Sequence, residues 1–153
     1  MDLRPEFVDR LSKVSRRWRT RLDAEFRRTG LTLARARALM FLSWEEGRVT
    51  QKDLAENLGI ETPTLVRLLD GLMRQGLIER HQLPEDRRAN LVVLTAAASA
   101  HVAEANEVSI RVRDEILNGI PEEDLVTAIQ VLDHIASRLQ IHPDTVQPAD
   151  ERL

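Results

Sequence analysis

Two short helical patterns joined by a glycine turn constrain the fold of this chain more than any other feature of its sequence. The first begins at Thr50, with Asp53 three residues later as an acidic variant of the capping box, and ends before Gly59. The second takes Thr62 as its cap and Pro63 as its first helical residue, and leucines follow at helical spacing. Two short helices joined by a tight turn predict a helix-turn-helix unit.

An extended pattern follows the second helix. Residues 77–82 and the β-branched run 91–95 predict two strands, and the polar loop 83–90 between them contains Pro84. Thr95 is the expected cap of a long helix. The helix-turn-helix and the hairpin together predict a winged helix-turn-helix domain.

Amphipathic helical patterns flank this domain on both sides. They predict a helix from Pro5 to about Arg28, a second from Leu33 to about Glu46, and a last helix that begins at Pro121. We therefore expect a mainly α fold with a small β-hairpin wing. Its four expected segments are an N-terminal dimerisation helix (1–30), the winged helix-turn-helix domain (31–95), C-terminal dimerisation helices (96–140) and a flexible tail (141–153).

The flanking helices carry apolar residues that a winged domain does not need. A compact winged domain of ~70 residues already has its own core, so spare apolar faces at both ends favour a twofold homodimer. The expected dimerisation residues are Leu11, Val14, Leu125, Leu132 and Leu139. A dimer would also read two DNA half-sites ~10 base pairs apart, which one short helix cannot do.

Composition and motifs exclude several classes of protein. The absence of cysteine excludes disulfides, thiolate metal sites and cysteine nucleophiles. The four histidines are too scattered for a metal site, and no nucleophile elbow, metalloprotease motif or phosphate loop is present, so we expect neither an enzyme nor a cofactor. No apolar run approaches the ~20 residues of a membrane span, and residues 1–10 contain no signal-peptide core, which predicts a cytoplasmic protein.

The formal net charge of −3 argues at first against a nucleic-acid partner. Its distribution removes that objection. Residues 1–47 carry 11 basic and 7 acidic side chains, residues 48–95 carry 7 of each, and residues 96–153 carry 4 basic and 11 acidic side chains. The excess acid therefore lies outside the predicted helix-turn-helix and wing.

The first turns of a recognition helix meet base edges in the major groove. Here they supply Thr62, Pro63, Thr64 and Arg67. Arg67 is the best candidate for a bidentate contact to guanine or for a phosphate contact. The alternative is a solvated arginine that pairs with Asp70 three residues on.

The tip of the predicted wing carries Asp86, Arg87 and Arg88. An arginine at the end of a hairpin can enter a narrow, electronegative minor groove. The alternative is a charged turn that only keeps the hairpin soluble. The position of this loop after a helix-turn-helix favours DNA insertion.

Taken together, these residues resemble the MarR family of transcriptional regulators from about Pro5 to Gln140. The matching positions are Leu31-Thr32, Thr50, Leu54-Ala55, Leu65, Leu69, Leu72, Gly76-Leu77-Ile78, Arg80, Asp86, Arg88 and Leu94-Thr95. Within the family, the chain is most similar to the SlyA branch, through Trp18-Arg19, Ile60-Glu61, Pro63, Leu65-Val66-Arg67, Asp86-Arg87-Arg88-Ala89, Ala98 and Gly119-Ile120. The recognition helix and wing are less basic than in well-known members, which bears on DNA affinity rather than on the fold.

The resemblance implies a dimeric, MarR-like winged helix-turn-helix regulator, with Asp86 bracing the wing by pairing with Arg88. Members typically bind small aromatic acids or phenolics between the dimerisation helices and the DNA-binding lobe. The candidate pocket residues are Arg16, Trp18, Arg37, Met40, Trp44 and Arg67. Taken singly, each is equally compatible with a core or solvated role.

We therefore expect a repressor that binds a pseudo-palindromic operator in double-stranded DNA as a homodimer. A small aromatic carboxylate, phenolic or thioester effector is expected to release it. The alternative is a helical protein-protein adaptor whose winged domain no longer binds DNA, which the weakly charged recognition helix allows.

Overall fold

A computed structural model describes residues 1–45 and 49–141. The helices are α1 (Arg4–Arg28), α2 (Leu33–Trp44), α3 (Gln51–Leu58), α4 (Thr62–Arg74), α5 (Ser99–Leu117) and α6 (Glu122–Arg138), and a 3-10 turn at Ala96–Ala98 precedes α5. The strands are β1 (Val49–Thr50), β2 (Ile78–Gln82) and β3 (Asn90–Leu94). This mainly helical fold with a small wing confirms the predicted fold class.

The local signals that bound the helices act as expected. Thr32 accepts a hydrogen bond from the Arg35 amide at the start of α2. Thr50 and Asp53 form the complete capping box of α3. Gly59 ends α3 in the left-handed conformation with φ of 64°, which a residue without Cβ adopts without strain.

The three strands form one antiparallel sheet in the order β1-β3-β2. The hairpin pairs Ile78 with Leu94 and Gln82 with Asn90. Strand β1 was not predicted, because it has only two residues and pairs with Val92 and Leu91, about forty residues later. Segments this short carry no readable alternation of apolar and polar residues.

The predicted role of Thr95 was wrong in one respect. Its backbone does precede the 3-10 turn, but its side chain caps no helix. Instead, the Thr95 hydroxyl donates to the Gly76 carbonyl at 2.6 Å, and the Thr95 amide donates to the Leu77 carbonyl at 3.0 Å. Thr95 therefore fastens the base of the wing to the end of α4.

By their contacts the residues divide into a unit that covers Met1–Asp114 and a second unit that begins at Glu115. The first unit holds one continuous core, to which α1 to α5 and the sheet all contribute. Its largest fully buried side chains are Phe26, Leu39, Leu54, Leu65, Leu69, Leu72, Val92 and Val112. In the second unit, α6 buries none of its residues. The predicted tail lies outside the described residues from 142 onward.

The helices of the described ranges contain no segment long and apolar enough to cross a membrane.

Candidate nucleic-acid interface

Helix α4 has one buried and one exposed face. Its leucine spacing turns Leu65, Leu69 and Leu72 into the core, where each is fully buried. The four residues predicted to meet DNA (Thr62, Pro63, Thr64 and Arg67) are all exposed. The packing that holds α4 in place therefore leaves its N-terminal turns available to a partner.

The start of α4 differs from the prediction by one residue. Glu61, in an extended conformation, is the N-cap, and Thr62 is already the first helical residue. Pro63 is tolerated in this first turn because amides there have no intrahelical acceptor. The hydroxyl of Thr62 is therefore not used to cap the helix.

Arg67 is an exposed cation on α4. Asp70, which the sequence offered as its partner, instead accepts from Arg80 Nη1 at 2.8 Å. No hydrogen bond or ion pair of the Arg67 side chain occurs within residues 1–45 and 49–141. The guanidinium is thus available for a base edge or a phosphate.

The loop between β2 and β3 is held by its own backbone. The Asp86 amide donates to the Leu83 carbonyl at 3.3 Å, and the Ala89 amide donates to the Asp86 carbonyl at 3.0 Å. The Asp86 carboxylate accepts from the Arg88 amide at 2.9 Å. Asp86 therefore contacts the Arg88 backbone, and the ion pair with its guanidinium that the family resemblance implied is not formed.

Because of this arrangement, the two wing arginines keep their charged ends unengaged. Arg87 and Arg88 are both exposed. Neither guanidinium has a hydrogen-bond or ion-pair partner in the described part of the chain. The wing tip thus presents two cations on a loop whose backbone is braced.

Strand β2 is tied to α4 by a contact to which the sequence prediction assigned no role. Arg80 follows buried Ile78 by two residues, so its side chain lies on the same face of the strand. Besides Asp70, the guanidinium contacts the Val66 carbonyl, to which Nη2 donates at 3.3 Å. Alternation along β2 could have indicated that Arg80 faces the helix, but not which residue it meets.

The six predicted pocket residues occupy different environments. Met40 is buried and its sulfur accepts from the Ser109 hydroxyl at 3.5 Å, while Trp44 packs against the core. Trp18 is half-buried, and Arg16 and Arg67 are exposed. Two open grooves of the molecule, one beside the α3–α4 turn and one at the start of α6, include none of the six residues.

Arg37 is the most unusual of the six. It is half-buried on α2, and its one hydrogen bond in the described residues runs to the Asn57 carbonyl at 3.5 Å. Burial and, secondly, the positive charge of Arg19 lower the pKa of Arg37 below its ordinary value. The positive charge of Arg19 thus acts on Arg37, and within residues 1–45 and 49–141 no carboxylate pairs with Arg37.

The predicted dimerisation residues remain accessible to solvent in the single chain. Leu11 and Val14 on α1 are exposed. Leu132 is exposed on α6 and Leu139 just after it, while Leu125 is half-buried. No group of three or more histidine or carboxylate side chains in the described residues is placed to hold a metal ion.

Comparison with known proteins identifies the fold. A sequence model of the MarR family matches residues 29–89. A solved structure described as transcriptional regulator PA3341 is 40% identical, covers 89% of this chain and 99% of its own, and has a TM-score of 0.81.

More distant structures share the fold. AbsC, a MarR family transcriptional regulator from Streptomyces coelicolor, is 24% identical over 93% of this chain and 97% of its own, with a TM-score of 0.83. A MarR variant from E. coli, solved in complex with operator DNA, is 22% identical over 88% of this chain and 99% of its own, with a TM-score of 0.75. Since the family model matches residues 29–89 and the 40% identical regulator is covered almost completely, this chain belongs to the MarR family of transcriptional regulators.

Proposed function

We propose that this chain is a sequence-specific DNA-binding transcriptional regulator that acts as a homodimer on a pseudo-palindromic operator. The observation that carries the proposal is the set of three exposed arginines, Arg67 on α4 and Arg87 and Arg88 on the wing, none of which is paired within the described residues. Arginine ends of this kind suit base edges and phosphates. The solved complex of a MarR variant with operator DNA supports the same use of the fold.

The two arginine positions suit the two grooves of DNA. A recognition helix lies in the major groove, where Arg67 can donate two hydrogen bonds to guanine O6 and N7. The wing then reaches the neighbouring minor groove, whose narrow A·T-rich segments attract Arg88. Because residues 48–95 carry 7 basic and 7 acidic side chains, we expect modest non-specific affinity and specificity that depends on a few arginines.

The exposed apolar residues of α1 and α6 support a homodimer. Val14 is 59% exposed and Leu132 is 45% exposed, and both lie on helices that expose further large apolar side chains. Large apolar side chains exposed together on one helix are typical of protein-protein interfaces. A twofold dimer would supply the second recognition helix that a palindromic operator needs.

We propose further that the chain is a SlyA-like repressor that a small aromatic carboxylate, phenolic or thioester releases from DNA. Arg37 supports an acidic effector, because the positive charge of Arg19 acts on it and no carboxylate of the described residues pairs with it. A carboxylate there would relieve the repulsion between the two guanidinium groups. A thermal-shift screen tests this: aromatic carboxylates should stabilise the wild type but not Arg37→Met, and absence of both stabilisation and operator release refutes it.

The DNA-binding role is tested with Arg88→Ala. The substitution should abolish binding to a pseudo-palindromic duplex from the upstream region of the gene in a gel-shift titration, while size-exclusion chromatography and circular dichroism stay unchanged. Arg10→Ala is the matched control, because it removes an equal charge from an exposed residue of α1 that pairs with Glu6 at 2.6 Å. Wild-type affinity in Arg88→Ala would contradict the role of the wing.

A protein-protein adaptor is the second candidate, since the balanced charge of residues 48–95 suits a winged domain without DNA binding. Salt dependence separates the two. A DNA-binding regulator loses affinity steeply as salt rises, because its arginine and lysine contacts release counterions from the duplex and this release is less favourable at high salt. An adaptor would bind no duplex at any salt concentration.

A further inference from the structure

We propose that Arg80 is a positioning residue that keeps Arg67 available to DNA by holding the carboxylate of Asp70 away from it. This inference rests on the proposed DNA-binding function. Arg80 itself contacts neither a base nor a phosphate in the proposed complex.

Asp70 is the natural competitor of DNA for Arg67. The two residues stand three positions apart on α4, a spacing at which helix side chains are neighbours and form ion pairs. Asp70 is 45% exposed and follows Arg67 by one turn, so an unpaired carboxylate there would repel phosphates that approach Arg67. An unpaired Asp70 would therefore capture Arg67 and repel the duplex.

Arg80 prevents both effects. Its side chain is only 22% exposed, and Nη1 lies 2.8 Å from Asp70 Oδ1. The same guanidinium donates through Nη2 to the Val66 carbonyl at 3.3 Å, which fixes its orientation. Asp70 is thus neutralised from the wing side of the helix, and the Arg67 side chain is left without a partner in the described residues.

The contact also joins the two DNA-reading elements. Val66 and Asp70 lie on either side of Arg67 in the chain, and β2 leads directly to the loop that carries Arg88. If the Arg80–Asp70 pair only held the wing against the helix, loss of either side chain would weaken DNA binding equally. If Arg80 acts by keeping Asp70 away from Arg67, loss of the Asp70 carboxylate should not weaken binding, because no competing charge remains.

This difference gives a double-mutant test with Arg80→Gln, Asp70→Asn and the combined variant. The probe is a labelled duplex with the tightest sequence that the wild-type protein selects from a random 30-base-pair pool, and affinity is measured by fluorescence anisotropy across a salt series. Arg80→Gln should weaken binding about tenfold and reduce the salt slope by about one, because Asp70 would then compete for Arg67 and its unpaired negative charge would repel the phosphates. Asp70→Asn should stay within about twofold of wild type, and the double variant should recover to a similar level.

Arg74→Gln is the matched control, since it removes an exposed arginine from the end of the same helix and should change affinity little. Thermal unfolding of each variant separates loss of fold from loss of binding. Equal weakening by Arg80→Gln and Asp70→Asn, no rescue in the double variant, or wild-type affinity in Arg80→Gln would each overturn the inference. If the wild type binds no duplex, the proposed function itself fails, a result that is distinct from these.

Discussion

Gly71 offers a test in which two opposing effects can be weighed from the structure. The residue is buried inside α4 and is not among the glycines with positive φ. A Cβ added there would lie 2.5 Å from Arg35 Nη2, 3.2 Å from Cζ and 3.4 Å from Nε. The first of these distances requires the Arg35 guanidinium to move.

The helix stabilisation gained by replacing Gly71 should exceed the cost of displacing the Arg35 side chain. Replacement of glycine by alanine inside a helix stabilises it by about 1 kcal/mol. The atoms in the way are the far end of a flexible side chain, and the Arg35 guanidinium has no hydrogen bond or ion pair in the described ranges. Displacement into a less favourable rotamer costs about 0.5 kcal/mol. We expect Gly71→Ala to raise the free energy of unfolding by about 0.5 kcal/mol.

Urea denaturation at fixed protein concentration measures this difference. In an Arg35→Ala background the obstacle is gone, so Gly71→Ala should gain the full amount of about 1 kcal/mol. Gly59→Ala serves as the contrasting control, because it has open space for a Cβ but a φ of +64°. That strain should destabilise the protein by about 1 kcal/mol. If Gly71→Ala destabilises by more than about 1 kcal/mol in both backgrounds, the obstacle is not Arg35 and the reasoning is refuted.

Three further predictions concern caps, core and charge. Thr50→Ala removes the hydroxyl that accepts from the Asp53 amide at 3.1 Å, and should lower the free energy of unfolding by about 1 kcal/mol. Thr50→Ser keeps a hydroxyl and should lose much less stability, so equal losses in the two variants would exclude a capping role. Leu69→Ala leaves a cavity at a fully buried position of α4 and should lower the free energy of unfolding, measured in urea, by about 3–5 kcal/mol. Met73→Ala, at an exposed position of the same helix, should lower it by less than about 1 kcal/mol, and similar losses would contradict the packing described. The hydrogen bond from Arg21, assisted by Arg28 and Arg111, holds the pKa of Glu25 below its ordinary value of 4.5, so the ionised carboxylate stabilises the fold fully above that pH. This stabilisation is lost as pH falls through the lowered pKa. Glu25→Gln should therefore make the decline of stability at acid pH shallower, and an unchanged decline would refute the assignment.

Local sequence signals predicted most of the helix ends. The capping box at Thr50, the cap at Thr32 and the turn at Gly59 depend on hydrogen bonds or dihedral angles within a few residues. Such features are readable because both partners lie in one short stretch. The exposure of the predicted DNA-contacting residues followed in the same way, since leucine spacing fixes which face of α4 is buried.

Contacts between distant segments were not predictable in this way. Strand β1 exists because β3 offers it a partner, and the Thr95 hydroxyl bonds a carbonyl nineteen residues earlier. Arg37 and Arg19 belong to different helices, and nothing in helical periodicity indicates that their charges repel each other. These features depend on how the elements pack.

The sequence by itself determined the order of the helices and the hairpin, the winged helix-turn-helix pattern and the positions of arginines on the recognition helix and wing. The tertiary structure decided which of these charges are available. Asp70 could pair with Arg67 on its own helix or with Arg80 on β2, and both pairs are chemically reasonable. Only the approach of β2 to α4 selects Arg80, because an ion pair depends on the distance between charges in space and not on their separation along the chain.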